Sequence, residues 1–241
     1  LQVHGLKPVQ AKLIYSARGK DVSFVRVVSM TSLNALLGLP KEFRLLPDWA
    51  QQQLGAHGRI VELKRGEVLT PYGLQSAPAF VVRNGLLTVN CYGRLDRMVV
   101  TDFLHVHEMF FTGVSSDEPS IYEVRAVRSS SVMTWPSVVF RKILRASADF
   151  SAWAIERQVR KQMAQHLHRA RLAAMKNMYE RIMYVLWNLA EPQSDGSRAL
   201  RHKIPQDTIG SFLNASRPEV NRNMRDLEDT GYITRTDEGL L

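Results

Sequence analysis

The amino-acid sequence predicts an α+β protein in which a β-rich part precedes a helical part. Between Gly58 and Trp135, seven short segments rich in Val, Ile, Leu, Phe and Thr alternate with Gly or Pro. This pattern is typical of an all-β sandwich or a barrel-like roll. From Pro136 onward the apolar residues recur every three or four positions, which is the period of amphipathic helices.

A basic, partly flexible extension is predicted for the first thirty residues. They hold five basic side chains and one acidic one, and only residues 22–28 have the composition of a strand. Short helical patterns follow at residues 32–37 and 47–54, and Pro47 stands where a helix commonly begins with proline. We assign no binding or catalytic role to this part of the chain.

The predicted strands cover residues 59–63, 67–70, 79–83, 86–92, 97–103, 122–127 and 131–135. Glycines lie between or beside them, and residues 94–96 after Gly93 predict the turn of a hairpin. The β-rich part therefore consists of short strands joined by tight turns.

Two helices are predicted after the strands, at residues 136–145 and 149–175. The longer one carries a narrow, heptad-like apolar stripe formed by Trp153, Met163, Leu167, Ala170 and Ala174. Such a helix either packs back on the β-rich part or forms the seam of a dimer. We favour the seam, because the stripe is narrow.

A further helix at residues 179–190 has a wider apolar face, suited to a compact helical domain. After a loop at residues 193–197, Pro205 and Gln206 open another short helix. Residues 214–216 form a turn, and Ser216 with Glu219 three positions later is a capping box that begins a second helix, with Pro218 in its first turn.

The second helix has two distinct faces. Val220, Met224 and Leu227 recur at three- and four-residue steps and are predicted to be buried. Gly231 ends the helix, residues 232–234 begin a strand, and residues 237–239 turn it. Helix, turn, helix and hairpin in this order predict a winged helix-turn-helix, whose second helix enters the major groove of DNA.

The residue types on the exposed face suit that role. Arginine bonds guanine O6 and N7, asparagine reads adenine, and a carboxylate accepts from cytosine N4, while a helix N-terminus binds phosphate. The candidate DNA-binding residues are Gln206, Ser216, Arg217, Pro218, Glu219, Asn221, Arg222 and Arg225.

The net charge is +9, which favours a polyanionic partner. Most of the excess lies between Ile155 and Arg225, where thirteen basic residues face six acidic ones. The charge thus concentrates in the part of the chain that holds the predicted helix-turn-helix.

Several classes are excluded or disfavoured. The chain has no apolar run long enough for a transmembrane helix and no signal-like N-terminal segment. Its single cysteine, Cys91, excludes an internal disulfide and a cysteine-based zinc site. From the missing signal segment and the single cysteine we expect a cytoplasmic protein. Because no P-loop, nucleophile elbow or metalloprotease motif occurs, we expect neither an enzyme nor a metal site.

Three motifs resemble the helix-turn-helix of the cyclic-AMP receptor/fumarate-nitrate regulator (CRP/FNR) superfamily. They are Ile-x-x-x-x-Ile-Gly at residues 204–210, Ser-Arg-x-x-Val-x-Arg at 216–222 and Leu-Glu-x-x-Gly-x-Ile at 227–233. The resemblance implies a jelly-roll-like sensor domain at residues 31–146 after the extension at 1–30, a dimerisation helix at 147–175 and a winged helix-turn-helix domain at 176–241. It also implies a homodimeric transcription factor that binds palindromic double-stranded DNA and RNA polymerase, with no membrane partner.

Within this resemblance, Arg217 and Arg222 match the two arginines with which the family contacts bases or phosphates. Pro218 falls where many members have a glutamate that reads cytosine, and Glu219 lies one place later. The half-site is therefore expected to differ from the common family consensus.

This sequence departs further from the family at the phosphate cassette of the cyclic-nucleotide binders. That cassette carries Gly-Glu followed by Arg-Ser or Arg-Thr, and this sequence has Phe111–Thr112 and Ser120–Ile121 at those places. A buried phosphate without a charged partner is unfavourable, so binding of cAMP is not expected. No cofactor is assigned; another second messenger, such as cyclic di-GMP, or no effector at all remains open. Four arginines could attract an anion, although we favour the interpretation that they are solvated residues at strand ends. They are Arg83, Arg94, Arg97 and Arg125.

Two alternatives are weighed against this interpretation. A cupin-like β-roll enzyme or small-molecule carrier would need several metal ligands inside the roll, and only His105 and His107, predicted on one face of a strand, offer themselves. A nucleic-acid-binding adaptor that never contacts RNA polymerase is the second.

Overall fold

The structure is a computed structural model that describes residues 26–29, 39–93, 97–111, 119–194, 196–200, 203–236 and 239–240. Two compact units divide the chain. The first comprises the described residues up to Tyr92 together with Phe103–Glu156, and the second comprises Gly93–Asp102 and the residues from Arg157 onward. None of the described helices is both long and apolar enough to cross a membrane.

Two antiparallel sheets form the body of the β-rich part. Its strands are β1 (Arg26–Ser29), β2 (Arg59–Leu63), β3 (Val68–Thr70), β4 (Ala79–Asn84), β5 (Leu87–Tyr92), β6 (Met98–Leu104), β7 (Met109–Phe110), β8 (Glu123–Ala126) and β9 (Ser130–Trp135). The five-stranded sheet has the order β1-β2-β9-β4-β7, and the four-stranded sheet has the order β3-β8-β5-β6. The crossovers between the sheets make this a roll rather than a simple meander.

All seven predicted strands are confirmed, with ends that differ by one residue at most. The sequence interpretation did not identify the two-residue strand β7, and it placed the first strand slightly before β1. The backbone N–H of Gly93 donates to the carbonyl oxygen of Arg97 (2.8 Å) and closes the predicted hairpin. The turn residues 94–96 and the predicted helix at 32–37 lie outside the described residues.

Apolar side chains from both sheets fill the interior of the roll, among them Leu63, Phe80, Leu87, Val124 and Val132. A second cluster lies where helices pack on the five-stranded sheet. These helices are a 3-10 turn at Lys41–Leu45, α1 (Asp48–His57), α2 (Ser137–Ala146) and the first turns of α3 (Ala148–Ala174). The five-stranded sheet is therefore buried on both of its faces.

Aromatic rings dominate this second cluster. Phe43 stacks on Trp135 with centroids 5.6 Å apart, and the indole N–H of Trp135 donates to the carbonyl oxygen of Leu54 (2.9 Å). Trp153 stacks on Phe150 (5.1 Å) and packs against this core. Trp153, the first residue of the apolar stripe predicted for the long helix, thus packs on the aromatic core of its own chain.

The helical part contains α4 (Met178–Leu189), α5 (Gln206–Leu213) and α6 (Arg217–Asp229). Two short antiparallel strand pairs accompany them: β10 (Glu191–Pro192) with β11 (Arg198–Ala199), and β12 (Arg235–Thr236) with β13 (Gly239–Leu240). The predicted helices of this part are confirmed within about two residues, and the described residues of the predicted loop at 193–197 lie between β10 and β11. The helix predicted at 47–54 is α1, which ends three residues later.

Candidate nucleic-acid interface

Three helices of the second unit share one apolar core. The helix α4 buries Ile182, Val185 and Leu186, α5 buries Ile209 and Leu213, and α6 buries Val220, Met224 and Leu227. The predicted buried face of α6 is thereby confirmed. Because that face packs inward, the opposite face of α6 points to solvent.

A tight turn joins α5 to α6. Asn214 ends α5 in the left-handed conformation, at φ 54°, and the N–H of Ala215 donates to the carbonyl oxygen of Gly210 (2.8 Å). A Cβ atom at position 210 would lie 2.7 Å from the backbone oxygen of Ala215. Glycine at this position therefore allows the turn to approach α5 closely.

Ser216 caps α6 as predicted. Its hydroxyl oxygen accepts a hydrogen bond from the backbone N–H of Glu219 (3.3 Å), and proline occupies the first turn. Ser216, Arg217 and Pro218 are exposed. Because Pro218 has no N–H and the N–H of Glu219 is bonded to Ser216, the exposed N-terminus of α6 leaves the backbone N–H of Arg217 for a ligand. Together with the positive end of the helix dipole, this N–H suits phosphate.

The exposed face of α6 is basic. Arg217, Arg222 and Arg225 are exposed, whereas Glu219 and Asn221 are half-buried. Arg217, Asn221 and Arg225 follow one another at intervals of four residues and so lie in one row along the helix. The structure therefore gathers the predicted α6 residues on one solvent-facing side.

Gln206 reaches this face from the first turn of α5. Its Nε2 donates to Oδ1 of Asn221 (3.3 Å) and lies 3.8 Å from the sulfur of Met224. The sequence analysis assigns Gln206 and Asn221 to one DNA-binding surface, but it does not predict the hydrogen bond between their side-chain amides.

The predicted start of the wing is wrong. Residues 232–234 are not a strand, because the N–H groups of Tyr232 and Ile233 donate to the carbonyl oxygen of Leu227 (3.0 and 3.3 Å) and hold this segment against the end of α6. Gly231 makes this reversal with φ at 75°. The first wing strand is β12, which begins at Arg235, and residues 237 and 238 of the predicted turn lie outside the described residues.

The hairpin strand β6 contacts the helices of the second unit through contacts that sequence reasoning missed. The N–H of Val100 donates to the hydroxyl of Ser211 on α5 (3.1 Å). Asp102 forms an ion pair with Lys161 on α3 (3.0 Å). These pairs are separated by tens of residues along the chain, so no local pattern reveals them.

A third contact links α3 to α4. Nδ1 of His168 lies 2.5 Å from the hydroxyl of Tyr184. Burial, with a smaller contribution from the charge of Arg171, lowers the pKa of His168 below its usual value, while Asp102 partly offsets the shift. The neutral imidazole is thus the favoured form at this helix junction.

The cassette positions in the first unit hold no carboxylate or guanidinium among the described residues. Phe111 packs against the helix-covered core, with its ring 5.5 Å from that of Phe140. Ser120 is buried and donates to the carbonyl oxygen of Tyr122 (2.9 Å), whereas Ile121 is 61% exposed. Thr112 lies outside the described residues.

Arg125, one of the arginines considered for an anion, is already engaged. Its Nε donates to Oε1 of Glu123 (2.8 Å), and its guanidinium also donates to the carbonyl oxygen of Gly66 (3.0 Å). Arg97 is exposed and Arg83 is half-buried, and Arg94 lies outside the described residues. The ion pair favours a structural role for Arg125.

His105 and His107 do not lie on a strand, contrary to the sequence interpretation. They follow the end of β6 in a turn, in which His107 adopts φ 67° and the N–H of His105 donates to the carboxylate of Glu108 (3.0 Å). Within the described ranges, no group of three potential ligands is placed to hold a metal ion. The placement of His105 and His107 on one face of a strand, which would have supported a cupin-like site, is therefore not found.

The long helix α3 carries an exposed apolar stripe. Ile155, Val159, Met163 and Leu167 recur every four residues, and Met163 and Leu167 are 67% and 51% exposed. The side chains buried in this helix are Phe150 and Ala154 near its start. Apolar side chains in such a row are available to a partner surface.

Comparisons with known proteins agree with this geometry. Residues 180–241 match the family model described as a Crp-like helix-turn-helix domain. No curated protein sequence matches the chain significantly.

Solved structures match over most of the chain. The c-di-GMP-responsive global regulator CLP of Xanthomonas campestris aligns with a TM-score of 0.64 and 15% identity, covering 81% of this chain and 98% of its own. FixK2 of Bradyrhizobium japonicum aligns with a TM-score of 0.65 and 13% identity, covering 76% and 91%. A CRP/FNR-family regulator of Thermus thermophilus aligns with a TM-score of 0.56 and 17% identity, covering 75% and 91%. At these identities the similarity establishes the fold, and the predicted α+β architecture is confirmed.

Proposed function

We propose that this chain, which has the fold of the CRP/FNR transcriptional regulators and carries a Crp-like helix-turn-helix domain, binds palindromic DNA as a homodimer through α6. The observation that carries the proposal is the exposed basic face of α6. Its arginines stand opposite a fully packed apolar face, so the helix is rigid and its charged side is free to enter a groove. In such a dimer, the two copies of α6 would occupy half-sites about one helical turn, ~34 Å, apart.

Each exposed group has a role in this proposal. Ser216 and the backbone N–H of Arg217, at the N-terminus of α6, contact phosphate and set the register of the helix on the duplex. Arg217 and Arg222 contact base edges, and Arg225 adds a phosphate contact farther along the same side. Pro218 carries no side-chain donor or acceptor, so the half-site differs from one read by a glutamate at that position.

The rest of the functional proposal follows from the same fold. We propose that the protein acts in the cytoplasm as a transcriptional regulator. RNA polymerase is then its second partner. The exposed stripe on α3 supplies the dimer contact, because it offers a row of apolar side chains from Ile155 to Leu167.

Loss of either arginine tests the proposal directly. Arg217→Ala and Arg222→Ala should each weaken specific binding by about 1–3 kcal/mol, as expected for arginines that contact bases. The operator is first obtained by selection from random duplexes with the purified full chain, and the affinities are then measured by fluorescence anisotropy. Binding should also fall steeply with salt.

Arg145→Ala provides a matched control, since Arg145 is an exposed arginine at the end of α2. We expect this variant to bind the operator like the wild type. Unchanged affinity in both α6 variants would show that DNA is not bound through this helix.

For the sensor, we propose an effector other than cAMP, or none. The packing of Phe111 in the core and the exposure of Ile121 support this, because neither residue supplies the charge that a cyclic phosphate requires. A c-di-GMP-responsive neighbour shares the fold, which makes cyclic di-GMP the first candidate to examine.

Titration calorimetry tests this proposal. A site with a dissociation constant of ~1 μM needs about −8 kcal/mol, and losing a charge-assisted contact removes about 1.5–3 kcal/mol. We therefore expect no cAMP binding at micromolar concentrations. Micromolar binding of cAMP would refute the proposal, whereas binding of cyclic di-GMP alone would support a sensor with a changed ligand. No heat from either nucleotide would support a regulator gated in another way.

A further inference from the structure

We infer that Gln206 is a positioning residue that fixes the hydrogen-bonding polarity of Asn221, so that α6 offers a donor to the groove at this position and selects guanine. The inference rests on the proposed function, because it names a base that α6 reads. The contact with guanine replaces the contact with adenine that an asparagine with a free carboxamide would make.

The geometry begins with the donor groups of Gln206. Its Nε2 lies 3.3 Å from Oδ1 of Asn221 and 3.8 Å from the sulfur of Met224. A carboxamide nitrogen carries two hydrogens, and these two acceptors within the protein account for both. Gln206 consequently has no N–H left for a phosphate, and its role is to orient its neighbour.

The consequence for Asn221 is a defined orientation of its side-chain amide. Since Oδ1 accepts from Gln206, the group turned away from α5 is the Nδ2 amine, which only donates. Asn221 lies between the exposed Arg217 and Arg225 in one row of α6. Its amine therefore belongs to the same surface as the guanidinium groups.

A donor at this position discriminates among bases. The bidentate contact of asparagine with adenine uses the amide oxygen to accept from N6 and the amide nitrogen to donate to N7. In Asn221 that oxygen is turned toward Gln206 on α5 and thus away from the groove. Guanine offers two acceptors, N7 and O6, whereas cytosine offers only a donor at N4. The pair should therefore favour guanine most and cytosine least.

Replacing the donor of the pair by an acceptor should reverse the preference. In Gln206→Glu, the carboxylate can only accept, so Asn221 turns its Nδ2 toward residue 206 and exposes Oδ1 to the groove. The exposed oxygen then accepts from adenine N6 or cytosine N4. Gln206 is half-buried at the start of α5, where a negative charge is compatible with the helix N-terminus.

The experiment is a binding-site selection with the full chain, comparing the wild type, Gln206→Glu, Asn221→Ala and the double variant. We expect the wild type to select guanine at one position of each half-site, and Gln206→Glu to select adenine or cytosine there with the other positions unchanged. The preference should change by roughly fivefold to a hundredfold, the range of one good base contact. In the Asn221→Ala background, Gln206→Glu should change no base preference, which separates reorientation from a general effect of the added charge.

The outcomes distinguish this inference from the proposed function. If the wild type selects no palindromic site, the proposed function fails. If it selects a site but prefers adenine at this position, or if Gln206→Glu leaves every preference unchanged, the inference is overturned and the proposed function stands. Should circular dichroism show that Gln206→Glu is unfolded, Gln206→Ala serves instead: freeing the amide should reduce the preference for guanine over adenine, and an unreduced preference contradicts the inference.

Discussion

Leu167→Glu is expected to convert the protein to a monomer and to lower its affinity for a palindromic operator by about a hundredfold or more, the loss that accompanies the uncoupling of two linked binding modules. Leu167 and Met163 are both more than half exposed on α3, in one row with Ile155 and Val159. In a seam formed by two copies of this row, the substitution would bury two unpaired carboxylates near each other. Burial of unpaired charge is strongly destabilising.

Light scattering measures the oligomeric state of this variant, and anisotropy measures its affinity for the operator. Gln165→Glu is the matched control, because Gln165 is half-buried on the same helix and lies about 160° around the axis from both Met163 and Leu167. The control should remain dimeric. A dimeric Leu167→Glu variant would place the interface elsewhere on the molecule.

The strands and the helix-turn-helix could be predicted because their signals are local. Short apolar runs between glycine and proline positions place β2 and β4 to within one residue, since strands that are buried on both faces read as such runs. Similarly, Ser216 and Pro218 specify where α6 begins. The four- and three-residue steps from Val220 to Met224 and Leu227 specify which face it buries.

The errors arose where tertiary contacts outweigh a local pattern. Trp153 stands two heptads before Leu167 in the stripe predicted from the sequence, but the nearby rings of Phe43 and Phe150 draw it into the aromatic core. The sequence of residues 232–234 is compatible with a strand, yet hydrogen bonds to Leu227 hold them at the end of α6.

The contacts that matter most for the site could not be predicted. Gln206 and Asn221 are fifteen residues apart on different helices, and their hydrogen bond depends on how α5 crosses α6. Val100 and Ser211 are separated by 111 residues. Residue types indicated that these helices could bind DNA, but only the packing of the helices shows that Oδ1 of Asn221 accepts from Gln206.

Gly210→Ala is expected to destabilise the helix-turn-helix by about 1–3 kcal/mol, the usual range for overpacking, and to lower operator affinity. The added Cβ would stand 2.7 Å from the carbonyl oxygen of Ala215 and 3.5 Å from Val220. The first contact is with backbone, so the turn at residues 214–216 must move. That movement carries Ser216 with it, and therefore the N-terminus of α6.

Two measurements separate the effects of this substitution. Differential scanning calorimetry reports the loss of stability, and anisotropy at a temperature where the variant remains folded reports the displacement of α6. Thr208→Ala, two residues earlier on α5, is the control: Thr208 is half-buried, and its replacement adds no atom near Ala215. An unchanged unfolding temperature together with unchanged affinity would show that the turn accepts a methyl group. A loss of affinity beyond the fraction unfolded would instead show that the close approach at Gly210 sets the position of α6 for DNA.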